Sequence, residues 1–62
     1  MEFEHARALV LEKLSANGRL KRSQLLDLLN EDDQLLTQVK ADLLLHGLAK
    51  EAERGGLEYV GA

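Results

Sequence analysis

The chain of 62 residues contains no cysteine and only two histidines, so it has few of the side chains that cross-link a small domain. The absence of cysteine excludes disulfides and thiolate metal ligands. His5 and His46 lie far apart in the sequence, which gives a zinc site almost no support. Because the core of so short a chain rarely supplies more than about 3–5 kcal/mol, we expect self-association to add stability, and the expected state is a homodimer.

The sequence also lacks an excess of positive charge and any long apolar run. Eight Lys and Arg against eleven Asp and Glu leave a formal net charge of −3, whereas a basic balance would favour a nucleic-acid partner. No apolar run approaches the about 20 residues of a membrane helix. Met1-Glu2-Phe3-Glu4 is acidic where a secretory signal needs positive charge. We therefore expect one domain, residues 1–62, in the cytoplasm and away from the membrane.

Catalytic patterns are missing as well. The carboxylates are scattered along the chain, no nucleophile has an evident base beside it, and no glycine-rich loop could hold a phosphate. Gly55-Gly56 is typical of a turn. The sequence therefore predicts no enzyme, no cofactor, no metal and no small-molecule substrate.

Leucine spacing predicts three helices. The first ends at Asn17-Gly18, where glycine can take the left-handed cap conformation, and its apolar face carries Phe3, Arg7, Val10, Leu11 and Leu14. The second begins near Arg22 or Ser23, Ser23 being a good N-cap, and buries Leu25, Leu28 and Leu29. The third opens at Asp32 or Asp33 and ends at Gly47, and its core stripe is Leu36, Val39, Leu43 and Leu44.

After Gly47 the pattern changes to the alternation of a β-hairpin. Two short strands flank the turn at Arg54-Gly55-Gly56. Leu48, Leu57 and Tyr59 are expected to cover the helical core, because an isolated hairpin is marginal in water. Leu20 lies between two cations and could add one short rung to the same sheet. The predicted fold class is therefore α+β, mainly α.

The chain resembles the winged helix-turn-helix superfamily, with three helices and a C-terminal β-hairpin wing. The segments that carry the resemblance are Asn17-Gly18-Arg19-Leu20, Ser23 to Leu29, Val39 with Leu43, and Gly47-Leu48-Ala49-Lys50. The resemblance implies a small DNA-binding protein, a transcriptional regulator, whose third helix enters the major groove. The implied phosphate contacts are Lys21, Arg22 and Ser23, with Arg54 on the wing. The implied reading residues are Gln34, Thr37, Gln38 and Ala41, with Lys40 on the flank of the same helix.

Each of these features has a second interpretation. Arg19-Leu20-Lys21-Arg22 could bind phosphate or could be a solvated turn around a core leucine. Polar residues on the outer face of any helix resemble Gln34 and Gln38. The acidic balance and two leucines expected to be exposed, Leu9 and Leu45, favour an alternative function as an acidic protein-interaction or dimerisation module that does not bind DNA. A third interpretation is a piece of a larger protein in which the domain positions something else.

Overall fold

The fold consists of three helices and a small antiparallel sheet, in a computed structural model that describes residues 1–61. The helices are α1 (Phe3–Asn17), α2 (Arg22–Leu28) and α3 (Asp33–Leu45). The strands are β1 (Arg19–Leu20), β2 (Ala49–Glu51) and β3 (Leu57–Tyr59), and a short 3-10 turn, Glu53–Gly55, connects β2 to β3. This is a mainly helical α+β fold with a C-terminal hairpin, as predicted, and it is compatible with a winged helix.

The helix ends confirm most of the predicted caps. Gly18 (φ 83°) and Gly47 (φ 69°) take the left-handed conformation after α1 and α3. Asp32 caps α3, since its side chain accepts a hydrogen bond of 3.1 Å from the Leu35 amide. The expectation that Ser23 is the N-cap of α2 was wrong. α2 begins at Arg22, one of the two predicted starts, and its N-cap residue is Lys21, whose amide donates to the Gln24 side chain at 2.9 Å.

The sheet has the strand order β1-β3-β2, with β3 in the centre. It therefore joins the short strand after α1 to the C-terminal hairpin. Leu20 faces Leu57 and Arg19 faces Glu58 across one pair of strands, and Lys50 faces Glu58 across the other. The short rung expected from Leu20 is therefore confirmed. On the outer face Glu58 lies 3.1 Å from Arg19 and 3.8 Å from Lys50, which leaves the inner face of the sheet to the core.

One core connects the helices and the strands, and the three hairpin residues expected to cover it, Leu48, Leu57 and Tyr59, lie in it or pack against it, as predicted. Ala49 and Leu57 are the buried hairpin residues, whereas Leu48 and Tyr59 are half-buried against the core. Ala49 was not expected in the core; it pairs with Tyr59, so both share the inner face of the sheet with Leu57. The buried residues are Ala6, Val10, Leu14, Leu20, Leu25, Leu29, Leu35, Leu36, Val39, Leu43, Ala49 and Leu57.

Partly covered positions complete the helix packing. Arg7 is half-buried and pairs with Asp42 of α3, so its stem packs while its guanidinium stays at the surface, as predicted. Leu28 and Leu44 were expected in the core but are only half-buried against it. Each lies beside a fully buried neighbour, Leu29 or Leu43, which takes the inward direction of the helix.

Candidate nucleic-acid interface

A surface groove separates the start of α2 from the hairpin turn, and we call it the β1–α2 groove. Its volume is ≈ 390 Å³, and it is lined by Arg19, Leu20, Lys21, Arg22, Ser23, Ala52, Glu53 and Arg54. The lining combines two segments that lie far apart in the sequence, because β1 pairs with β3 and brings the hairpin turn next to α2. Four of the chain's eight cations therefore surround one groove, together with the single carboxylate of Glu53.

Two of the four groove cations already have carboxylate partners. Arg19 lies 3.1 Å from Glu58, and Arg22 pairs with Asp33 at the start of α3. Both pairs are solvent-exposed, with 66% and 46% of the two arginine side chains accessible. Exposed ion pairs contribute only about 0–1 kcal/mol. A phosphate could therefore replace the carboxylate at small cost, although each carboxylate reduces the local positive potential.

Lys21 and Arg54 are the groove cations that form no ion pair within residues 1–61. Both are exposed. Arg54 has a left-handed backbone (φ 56°, ψ 37°), and it lines the groove from the hairpin turn while Lys21 lines it from the start of α2. Ser23 also lines the groove. All the residues implied for phosphate contact therefore lie around one groove.

The outer face of α3 is polar and uncharged. Gln34, Thr37, Gln38 and Ala41 are all exposed, and the Thr37 hydroxyl donates to the Asp33 carbonyl at 3.0 Å. Each glutamine amide has a donor and an acceptor that complement the acceptor and donor of adenine in the major groove. Ala41 or the Thr37 methyl group could contact a thymine methyl group. The chemistry for reading bases is present on this face, without a cation.

Lys40 lies on α3 but points elsewhere. Only 18% of its side chain is exposed, and its ammonium donates to the Gly55 carbonyl at 3.0 Å with Glu51 at 3.8 Å. The structure thus directs this predicted DNA contact toward the hairpin turn. The periodicity of α3 placed Lys40 on the flank but contained no signal for its partner, because Gly55 is brought there by the sheet.

The two leucines expected at the surface differ in exposure. Leu45 is 82% exposed at the end of α3. Leu9 is half-buried rather than exposed. The surface expected from both leucines is therefore centred on Leu45.

Other kinds of site have no support in the described part of the chain. No group of three or more His, Asp or Glu side chains in residues 1–61 could hold a metal ion. None of the helices there has the length and apolar character that crossing a bilayer requires. Comparison with known proteins found no matching family, no matching curated protein and no matching solved structure.

Proposed function

We propose that this chain is a small DNA-binding protein of the winged-helix type that acts as a transcriptional regulator. In this proposal α3 enters the major groove with Gln34, Thr37, Gln38 and Ala41, while the β1–α2 groove binds the phosphate backbone. The observation that carries the proposal is the convergence of Lys21, Arg22 and Arg54 with Arg19 on one groove. The chain as a whole has a net charge of −3, so a local cluster of four cations stands out. None of these cations is buried in the core, so packing does not explain the cluster.

The number of available cations sets the expected affinity. Each neutralised phosphate contributes about 0.9 to the slope of log affinity against log salt. With Arg19 and Arg22 in exposed ion pairs, we expect about two to four phosphate contacts per chain and a slope between about −2 and −4. One chain should bind weakly, and a homodimer would double the contacts on two half-sites about 34 Å apart.

Titration of a fluorescent duplex tests the proposal directly. We expect anisotropy to report binding at about 50 mM salt and a strong loss of affinity at about 200 mM. In Lys21→Gln the slope should decrease by about one unit and binding to all sequences should weaken. Lys13→Gln, which removes the same charge from α1 outside the groove, is the matched control. No binding by the unaltered chain at about 50 mM salt would overturn the proposal, and equal losses in both variants would argue against the groove.

The second candidate function is protein interaction or dimerisation through the end of α3. The specific observation is Leu45, whose side chain is 82% exposed on the same helix face as Gln38 and Ala41. At about 1.5 Å per residue, Leu45 lies about 16 Å along the axis from Gln34. Ala41, however, lies only about 6 Å from Leu45 along the axis on the same face, so contact of DNA along this face and contact of a second chain through Leu45 are competing uses of α3.

Leu45→Glu should abolish self-association, because burying a carboxylate in an apolar contact carries a large desolvation cost. Sedimentation equilibrium measures the mass of the unaltered chain and of the variant. Ala8→Glu places the same charge at an exposed position of α1 and should leave the mass unchanged. A dimer that survives Leu45→Glu, or an unaltered chain that is monomeric throughout, would contradict this second function.

A further inference from the structure

The hairpin turn is contacted from two sides by cationic side chains of the helices. From α3, Lys40 donates to the Gly55 carbonyl at 3.0 Å. From α2, the stem of Arg22 packs so closely on Gly55 that a Cβ atom there would lie 3.1 Å from the Arg22 Cδ atom. The Arg22 guanidinium is in turn paired with Asp33 at the start of α3. The turn is therefore held by contacts that neither strand provides.

The turn needs such contacts because its backbone conformation is unfavourable. Arg54 and Gly55 are both left-handed, with φ values of 56° and 80°. A side chain makes that conformation costly at Arg54. Besides the bonds within the 3-10 turn itself, the Gly56 amide donates to the Glu53 carbonyl at 3.1 Å and the Ala52 amide donates to the Gly56 carbonyl at 3.0 Å. Contacts from outside the turn therefore help to stabilise the conformation in which Arg54 lines the groove.

Lys40 differs from the groove cations in burial and in partner. Its side chain is only 18% exposed, against 66% for Arg19 and 46% for Arg22. Its ammonium contacts a backbone carbonyl in addition to lying 3.8 Å from Glu51. A hydrogen bond from a charged donor is worth about twice a neutral one, and it is strongest where water is partly excluded.

We propose that Lys40 is a positioning residue whose ammonium holds the hairpin turn against α3 and so directs Arg54 to the β1–α2 groove. The effect on DNA binding rests on the proposed function, whereas the effect on the turn does not. In this proposal Lys40 does not contact phosphate itself. It acts through Arg54, whose position it stabilises.

Trypsin cleavage after Arg54 measures the turn without any ligand. We expect Lys40→Met to raise the rate of cleavage at Arg54-Gly55 about tenfold, because loss of a charged hydrogen bond favours the open turn and cleavage follows the open population. Lys40→Arg keeps a donor and should restore most of the protection. Lys50→Met on β2 removes the same charge from the outer face of the sheet and should change this rate little.

The pattern of cleavage separates a local from a global effect. Cleavage after Arg19 and Lys21 should stay slow in Lys40→Met, since these bonds lie outside the hairpin. An unchanged rate at Arg54 would overturn the proposal. So would equal acceleration at all three bonds, because that result would mean general unfolding.

Titration of the DNA duplex with Lys40→Met, Arg54→Gln and the double variant tests the role in binding. If Lys40 acts through Arg54, the double variant should bind no more weakly than Arg54→Gln alone. Additive losses would mean that Lys40 contacts phosphate itself and would overturn the positioning role. Absence of DNA binding in every chain, with faster cleavage in Lys40→Met, would overturn the proposed function and leave the hold on the turn supported.

Discussion

Replacing Leu43 by alanine is expected to unfold a large fraction of the chain at room temperature. Leu43 is fully buried on α3, the helix that contacts α1, α2 and β2. Truncation of a buried leucine to alanine costs about 2–5 kcal/mol, since apolar contact is lost and a cavity remains. A core of this size rarely supplies more than about 3–5 kcal/mol. Urea unfolding followed by circular dichroism measures the loss of free energy of unfolding.

Leu45→Ala is the matched control for that experiment. It makes the same chemical change on the same helix, but at a side chain that is 82% exposed. Its effect on a monomer should remain within about 0.5 kcal/mol, as for most surface substitutions. Similar losses in both variants would contradict the burial that distinguishes the two leucines. A loss that occurs only at high protein concentration in Leu45→Ala would instead indicate self-association through this side chain.

Gly56→Ala is expected to destabilise the chain by about 2–3 kcal/mol, within the usual cost of overpacking. Gly56 has an ordinary extended backbone (φ −78°, ψ −177°), so the cost does not come from its conformation. A Cβ atom there would lie 2.6 Å from the Leu20 carbonyl oxygen, which belongs to the backbone of β1. Relief requires β1 to move away from the hairpin, and this movement would expose Leu20 and Leu57. The β1–α2 groove would open with it.

The sign of the stability change separates this steric contact from backbone entropy. Without the contact, alanine at a compatible glycine position would stabilise the chain by about 0.4–1 kcal/mol through the unfolded state. Gly47→Ala provides the comparison, because Gly47 is left-handed (φ 69°) and a Cβ atom there would meet no atom of residues 1–61 within 4 Å. Its cost should be about 1 kcal/mol, from the conformation alone. Thermal unfolding of both variants measures which of the two substitutions costs more stability. A stabilised Gly56→Ala, or a larger loss at Gly47, would contradict the close approach of β1.

Local chemistry explains why the sequence predicted the element order well. Leucines at helical spacing, the acidic start of α3 at Asp32 and the glycines at 18 and 47 act within a few residues of themselves. Each of these signals is unaffected by the rest of the fold. The exposed polar face of α3 also follows from periodicity alone, since the residues opposite a buried stripe must face solvent.

The sequence was less informative about which hairpin residues are buried and which residue caps α2, because more than one local arrangement fits the pattern. The sequence indicated Leu48, Leu57 and Tyr59, which lie in the core or pack against it. It did not indicate Ala49, which the pairing with Tyr59 places on the inner face. A shift of one residue exchanges the faces of a strand, and only the partner strand decides between them. Ser23 was expected to cap α2, but Lys21 takes the N-cap position and its amide donates to the Gln24 side chain instead.

By itself, the sequence determined three helices, a hairpin and the residues available for a polar outer face. The tertiary structure alone decided how distant segments meet. The pairing of β1 with β3 sets Gly56 against Leu20 and brings Arg54 to the same groove as Lys21, and the packing of α3 beside the hairpin lets Lys40 reach Gly55. Helix periods and caps depend on neighbours in the sequence, whereas a groove and its supporting contacts depend on strand register, for which a single sequence carries little signal.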